Sequence, residues 1–389
     1  MSITTEDLIK KIKHSDLKEL FASIKLGFEK ESLRMKGSRV SQMQHPRTLG
    51  SSLCNKFITT DFSEAQLELI TPPLEGNRKA QLFLNDIHHF VLNNIQDEFL
   101  WPFSIPPILE NNGEIPIAKF GSSHHGMFKH IYRVGLGQRY GRGMQAISGF
   151  HFNYSLPDQI WSYLRDKDNS LLLNTKSEIY FKMIRNLYEM NWLLIYLFGS
   201  SPVIQKILQS EQNDSFDKLG THDLYLPHAT SLRMSEYGYS NTERSNIHIS
   251  INSLDQYVSD LYNATNKLEK KYEQIGSSQL NSNLLQIEAE YYACARAKNS
   301  DQNTRPISSL RNGGVDFIEI RSLDLNPYSN IGIDHETILF LEVFMILCFL
   351  EESRAFDNED IKVINYNDNK VAKYGRDSAI RIINNGKKR

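Results

Sequence analysis

The stretch Gly149-Phe-His-Phe-Asn-Tyr154 alternates rings with polar side chains. Successive residues of a strand point to opposite faces. Phe150, Phe152 and Tyr154 therefore form one aromatic layer, and His151 and Asn153 share the other face. This is the pattern of a strand packed on a core with a polar wall turned outward. Taken alone, His151 reads first as a satisfied histidine near the core. Two other stretches repeat the design. In Gly27-Phe-Glu-Lys-Glu31, Glu29 and Glu31 share a face, roughly 6.5–7 Å apart at ~3.3 Å rise per residue. In Phe317-Ile-Glu-Ile-Arg-Ser322, Phe317, Glu319 and Arg321 share a face backed by Ile318 and Ile320. The bland alternatives are a solvated strand face for the first and a weak ion pair for the second.

Working outward, the run 24–33 and further strand-like runs at 57–60, 67–71, 147–155, 247–251 and 315–322 lie among helical patterns at 5–21, 77–95, 160–165, 176–198, 254–271 and 333–350. Long helices beside short strands, without βαβ alternation, predict an α+β fold. The polar runs 209–221 and 299–314 read as loops, and the residues from Gly375 onward as a solvated tail. No linker or solenoid repeat divides the chain, so 1–389 is expected to form a single domain.

Composition narrows the function. Of 389 residues, 40% are apolar, which suffices for a large core and excludes wholesale disorder. Lys and Arg number 44 against 46 Asp and Glu, giving a net charge of −2. That balance offers no basic surface for nucleic acid or an anionic membrane. Cys54, Cys294 and Cys348 form no metal-spaced set or disulfide framework. Glu6 and Asp7 sit where a signal peptide would be basic and apolar. The apolar run 338–350 is interrupted by Glu342 and is shorter than the ~20 residues of a membrane span. A cytoplasmic protein with reduced thiols is expected.

No phosphate-binding glycine loop is present. Gly135-Leu-Gly-Gln-Arg-Tyr-Gly141 misses the dinucleotide spacing by one residue. Acids are plentiful instead. Asp61 and Glu68 join Glu29, Glu31 and Glu319, while Glu64 reads as a helix cap or part of a solvated face. Five acids with His151 exceed one Mg²⁺ site, since Mg²⁺ is usually held by one or two carboxylates plus phosphates and water. Two or three Mg²⁺ ions around a polyphosphate (Mn²⁺ being a substitute) imply phosphoryl transfer, with Arg321 on the γ-phosphate. A second set suits an amino acid. Arg233 could clamp a carboxylate. Tyr132 beside Arg133, Tyr239 and Tyr292 could line a half-apolar pocket, or be ordinary core or rim tyrosines. Glu288, Glu290, Tyr292, Arg296 and Lys298 read as a cluster at the end of a helix.

These residues also carry a family resemblance. Gly27-Phe-Glu-Lys-Glu-Ser-Leu-Arg34, Ile58-Thr-Thr-Asp-Phe-Ser-Glu64, Leu67-Glu-Leu-Ile-Thr-Pro72, Met144-Gln-Ala-Ile-Ser-Gly-Phe-His-Phe-Asn-Tyr-Ser-Leu-Pro157, Ala229-Thr-Ser-Leu-Arg233, Gly238-Tyr239 and Ile318-Glu-Ile-Arg-Ser-Leu-Asp324 resemble the bacterial glutamate–cysteine ligases of glutathione biosynthesis. The likeness runs from about residue 20 to about residue 350, with the motifs in one order. It implies a glutamine-synthetase-like fold: a curved, mostly antiparallel sheet forming a funnel, flanked by helices. It implies ATP-dependent joining of the L-glutamate γ-carboxylate to the L-cysteine amine through a γ-glutamyl phosphate. It implies Mg²⁺ at Glu29, Glu31, Asp61, Glu68, His151 and Glu319, an amino-acid pocket of Tyr132, Gln145, Arg233, Tyr239 and Tyr292, and Arg321 facing the transferred phosphoryl group. The partners are then small molecules only, glutamate, cysteine and ATP, and a monomer is expected.

The chain also departs from the family. Cys294 and Ala297 stand where prolines are usual, and Asn299 where a basic residue is. A helical region that family members continue into is largely missing after about residue 376. Three alternatives stay open: a γ-glutamyl ligase for another amine, a non-catalytic metal- and substrate-binding remnant, and a metal hydrolase.

Overall fold

The computed structural model describes residues 19–107, 109, 111–162, 169–208, 215–238, 247–301, 303–384 and 387–388. Most of the helix expected over 5–21 lies outside them, as does Tyr239.

The strands that matter are β1 (Lys25–Lys36), β2 (Ile58–Thr60), β3 (Gln66–Ile70), β4 (Phe150–Ser155), β5 (Ala295–Lys298) and β6 (Phe317–Leu323). The helices are α1 (Asn77–Leu92), α2 (His124–Tyr140), α3 (Asn169–Phe198), α4 (Leu254–Asn266), α5 (His335–Leu350) and α6 (Asn358–Tyr374). The strands lie in the order β5-β6-β4-β1-β3-β2, each pair antiparallel. The α+β expectation holds.

The alternation explains why the sheet sits where it does. Phe28, Phe150 and Phe152 are fully buried, and Phe28 lies 5.5 Å from each of the other two rings. Each such ring contributes about 1.5–3 kcal/mol by leaving water. The same cluster takes in Leu187 and Leu194 of α3, Leu341 and Met345 of α5, and Leu84 of α1. Helices thus cover the aromatic face, and the polar face is left for a site. Lys30 points to the covered face, where burial pulls its ammonium down to about 7.

Several local expectations change. Residues 247–251 form no strand, although Ile249 and Ile251 are buried. Side chains occupy their backbone instead: Ser250 N donates to Asp260 Oδ2 at 2.8 Å, and Arg185 donates to the Ile251 carbonyl. The helix from Leu254 stops at Asn266. The cluster from Glu288 to Lys298 is not a helix end but a single 3-10 turn, Glu288–Glu290, followed by β5. The run 209–221 holds the strand Asp217–Leu219, and 299–314 holds the helix Pro306–Gly313. The expected tail is partly docked. Ile380 and Ile382 pack beside Val371, and Ile383 N donates to Asn367 Oδ1.

Candidate active site

Register brings the acids together. Glu29 on β1 lies opposite His151 on β4, and Glu31 lies opposite Glu68 on β3. Glu319 on β6 lies opposite Asn153 on β4 and Arg296 on β5. Around them is a cavity of about 230 Å³. Its walls include Glu29, Glu31, Asp61, Glu68, His151, Glu319 and Arg321, together with Tyr132, Gln145 and Tyr292. All six expected metal ligands and the expected catalytic arginine therefore share one space with three of the five expected pocket residues.

Hydrogen bonds orient the acids. Asn153 Nδ2 donates to Glu29 Oε1 at 2.8 Å, and His151 Nδ1 lies 3.3 Å from Glu29 Oε2. The Gly149 N–H donates to Glu31 Oε2 at 2.8 Å. Glu319 lies between two cations, with Lys298 Nζ 3.3 Å from Oε1 and Arg321 Nη1 3.3 Å from Oε2. Arg321 also lies over the Tyr292 ring at 5.4 Å.

The environment splits these acids into two groups. Burial, then Asp61, pushes Glu31 up to about 8, against Arg321 and Arg233. Burial, then Asp61, Glu29 and Glu31, raises Glu68 well above the carboxylate range. Burial also acts against Glu319, yet Lys298 and Arg321 hold it well below that range. Burial and Glu319 push Glu29 up, but the His151 hydrogen bond and Lys298 bring it below its ordinary value. Burial, then Arg321, lowers the His151 imidazole. The Glu31–Glu68 side is thus short of positive charge, while Glu29 and Glu319 keep theirs balanced.

This donor set fits a divalent cation. Glu29, His151 and Glu319 each offer one atom, and these lie within 4.8 Å of one another. His151 Nε2 and Glu319 Oε2 are buried without a hydrogen-bond partner. The carboxylates suit Mg²⁺ or Mn²⁺.

Arg233 is placed differently from the expected clamp. It is fully buried and is absent from the cavity wall. Its Nη2 donates to the Arg321 carbonyl at 2.8 Å, and Nη1 lies 3.6 Å from Asp324 Oδ1. Asp324 in turn accepts from Ser200 N and the Ser201 hydroxyl. Arg233 thus supports the strand that carries Arg321. Arg233→Met would leave Asp324 buried without its cation, so a loss of about 3 kcal/mol is expected in denaturant unfolding. An unchanged unfolding midpoint would show the pair to be dispensable. Glu64, read as a helix cap or part of a solvated face, is neither: it is buried and accepts from the loop N–H groups of His45 and Lys119.

Three cavity residues escaped a precise reading. Arg296 and Lys298 face the site from β5, with Ala295 and Ala297 buried between them. Their Arg-Ala-Lys alternation was the available signal. Arg133 was noted only as the neighbour of Tyr132, yet it lines the cavity and its Nε donates to the Asp61 carbonyl.

The chain's relatives have the same architecture. The model of the family described as glutamate-cysteine ligase matches residues 9–371. The chain is 42% identical to glutamate–cysteine ligase from Alcanivorax borkumensis, over 98% of this chain and 76% of that protein. It is also 42% identical to the enzyme of that name from Hahella chejuensis, over 94% and 72%. A crystal structure of glutamate–cysteine ligase from Francisella tularensis in complex with AMP superposes with a TM-score of 0.88 at 35% identity, covering 95% of this chain and 75% of that one. A bifunctional glutathione synthetase from Pasteurella multocida superposes with a TM-score of 0.73 at 25% identity, covering 92% and 43%. Among the described residues, no helix is long and apolar enough to cross a membrane. With an acid-lined antiparallel sheet and likeness along nearly its whole length, the chain belongs to the glutamate–cysteine ligase family.

Proposed function

We propose that this chain joins the γ-carboxylate of L-glutamate to the amine of L-cysteine at the expense of ATP, the first step of glutathione biosynthesis. The observation that carries the reading is the convergence of Glu29, Glu31, Asp61, Glu68, His151, Glu319 and Arg321 on one cavity, in a chain of this family. Glu29, His151 and Glu319, with Glu31, Asp61 and Glu68 beside them, would hold two or three Mg²⁺ or Mn²⁺ ions, which would supply charge neutralisation for the triphosphate and the glutamate carboxylate.

The chain's own residues do the rest. Arg321, held by Glu319 and by the Tyr292 ring, presents its guanidinium to the oxygens of the transferred phosphoryl group. A γ-carboxylate oxygen of glutamate forms a bond to the γ-phosphorus as the bond to ADP breaks. The resulting acyl phosphate is a good acyl donor. The cysteine amine then bonds to its carbonyl carbon, inorganic phosphate leaves, and the amine gives up a proton. Tyr132, Gln145 and Tyr292 form the amino-acid wall. Arg233 acts through Arg321, whose carbonyl it holds. The protein is a cytoplasmic monomer with small-molecule partners only.

The test is phosphate release by the purified chain with ATP, Mg²⁺ and glutamate, with and without cysteine, and product identification by mass. Cysteine-stimulated release of γ-glutamylcysteine is expected. Faster release with another amine would move the acceptor assignment. No release from a folded chain that binds Mg²⁺ and glutamate would favour the non-catalytic remnant.

A further inference from the structure

Tyr132 and Tyr292 both line the cavity, on elements far apart in sequence. Tyr132 belongs to α2, while Tyr292 ends a segment, residues 279–292, that contains no regular strand or α-helix. The backbone bonds of this segment run to residues 264–269 (Leu284 N to the Lys267 carbonyl, Leu285 N to the Ala264 carbonyl, and the Ser282 carbonyl from Glu269 N) and not to α2, so side chains must make the link across the cavity.

Arg139 does this. It lies two helical turns beyond Tyr132 on α2, and its side chain is fully buried. Its Nε and Nη2 both donate to Gln279 Oε1, at 3.0 and 2.8 Å. Nη2 also donates to the Asn281 carbonyl at 2.7 Å, and Nη1 to Glu290 Oε1 at 3.0 Å. The guanidinium lies 4.0 Å from the centre of the Tyr272 ring. One planar fork therefore reaches both ends of the segment, which a single ammonium could not do. The far end is closed as well. Glu290 Oε1 accepts from the Tyr140 hydroxyl at 2.8 Å, and Oε2 from Gln286 N at 2.6 Å. Close packing completes the joint. A Cβ at Gly135 would lie 2.3 Å from Gln286 Oε1, so only glycine lets α2 approach this far.

Glu290 also lines the cavity. Donors from Arg139, Tyr140 and Gln286 engage both of its oxygens, so its carboxylate is held in place. We infer that Arg139, through Glu290 and Gln279, is a positioning residue that sets the spacing between the Tyr132 and Tyr292 walls, and with it the affinity for an amino-acid substrate. This rests on the proposed ligation only in naming glutamate and cysteine as the substrates.

The test uses Arg139→Lys in the full chain. KM for glutamate and for cysteine is measured separately, beside KM for ATP and kcat. Their Kd values are measured by calorimetry with Mg²⁺ and a non-hydrolysable ATP analogue. The expected result is an increase of about 10-fold or more in KM and Kd for one amino acid, with kcat at saturation and KM for ATP within about threefold of wild type. Unchanged amino-acid constants in the folded variant would overturn the inference. So would an equal fall in every kinetic constant, which is the mark of general loosening. If Arg139→Lys fails to fold, Glu290→Gln keeps the shape and removes the charge. It should move the same constant in the same direction, and unchanged constants would again overturn the inference. If the wild type binds the amino acids but does not ligate them, the proposed function fails, and the Kd comparison still decides the role of Arg139.

Discussion

Glu319→Gln is expected to reduce ligation by at least about 100-fold while the protein stays folded. Glu319 is only 1% exposed and is flanked by Lys298 and Arg321. Glutamine matches its volume, so the sheet has no reason to rearrange. What changes is charge. The Glu29–His151–Glu319 donor set loses an anion, and Lys298 and Arg321 lose the group that separates their charges. Arg321 would then be drawn toward other acids of the cavity and away from the phosphoryl position. The check is kcat at saturating substrates, with thermal unfolding as control. A rate near wild type would remove Glu319 from the site, and a collapsed unfolding midpoint would make its role structural.

The second large effect is expected at Gly149. A Cβ there would lie 2.0 Å from Arg233 Nη2 and 2.8 Å from its Cζ. A long side chain can usually swing away from such a collision. This one cannot, because its guanidinium is fully buried and tied to the Arg321 carbonyl and to Asp324. Gly149 N also donates to Glu31, so a backbone shift would disturb the acid cluster directly. Gly149→Ala should therefore destabilise the chain by about 1–3 kcal/mol, the usual range for overpacking. It should also lower kcat, although alanine adds only one methyl group. Denaturant unfolding and turnover of the same sample test both parts. An unchanged midpoint with full activity would show that Arg233 has room to move.

Much of this site was legible because alternation in a strand is a strong code. Glu29 and Glu31, His151 and Asn153, and Glu319 and Arg321 each read as one face, and each lies on one face. Asp61 and Glu68 were harder, since their meaning depends on β3 pairing with β1, and short runs do not reveal register. Arg233 was misplaced for a related reason. A sequence shows that an arginine has a fork, but not whether a cavity or a backbone carbonyl occupies it. The helix α2 was obscured by its glycines. Gly135 and Gly137 read only as a near-miss of a dinucleotide-binding spacing, whereas Gly135 packs closely against Gln286. The run 247–251 failed in the opposite way: its apolar residues are buried, but side chains rather than a neighbouring strand take up its backbone groups.

The strand order has a consequence for the chain as it is made. β1, β3 and β4 come from the first 155 residues, but β6, which pairs with β4, begins only at Phe317. At roughly 5–20 residues per second, a ribosome needs on the order of ten seconds to cover that gap. Until position 298 is reached, Glu29, Glu31, Glu68 and His151 have been synthesised but neither Lys298 nor Arg321 has. The outer edge of β4 is unpaired in the same interval and open to strands of other chains. Such distant pairing slows folding. Slow synthesis of the second half, or a temperature that speeds aggregation, should therefore lower the yield of soluble protein more than it lowers the stability of molecules already folded.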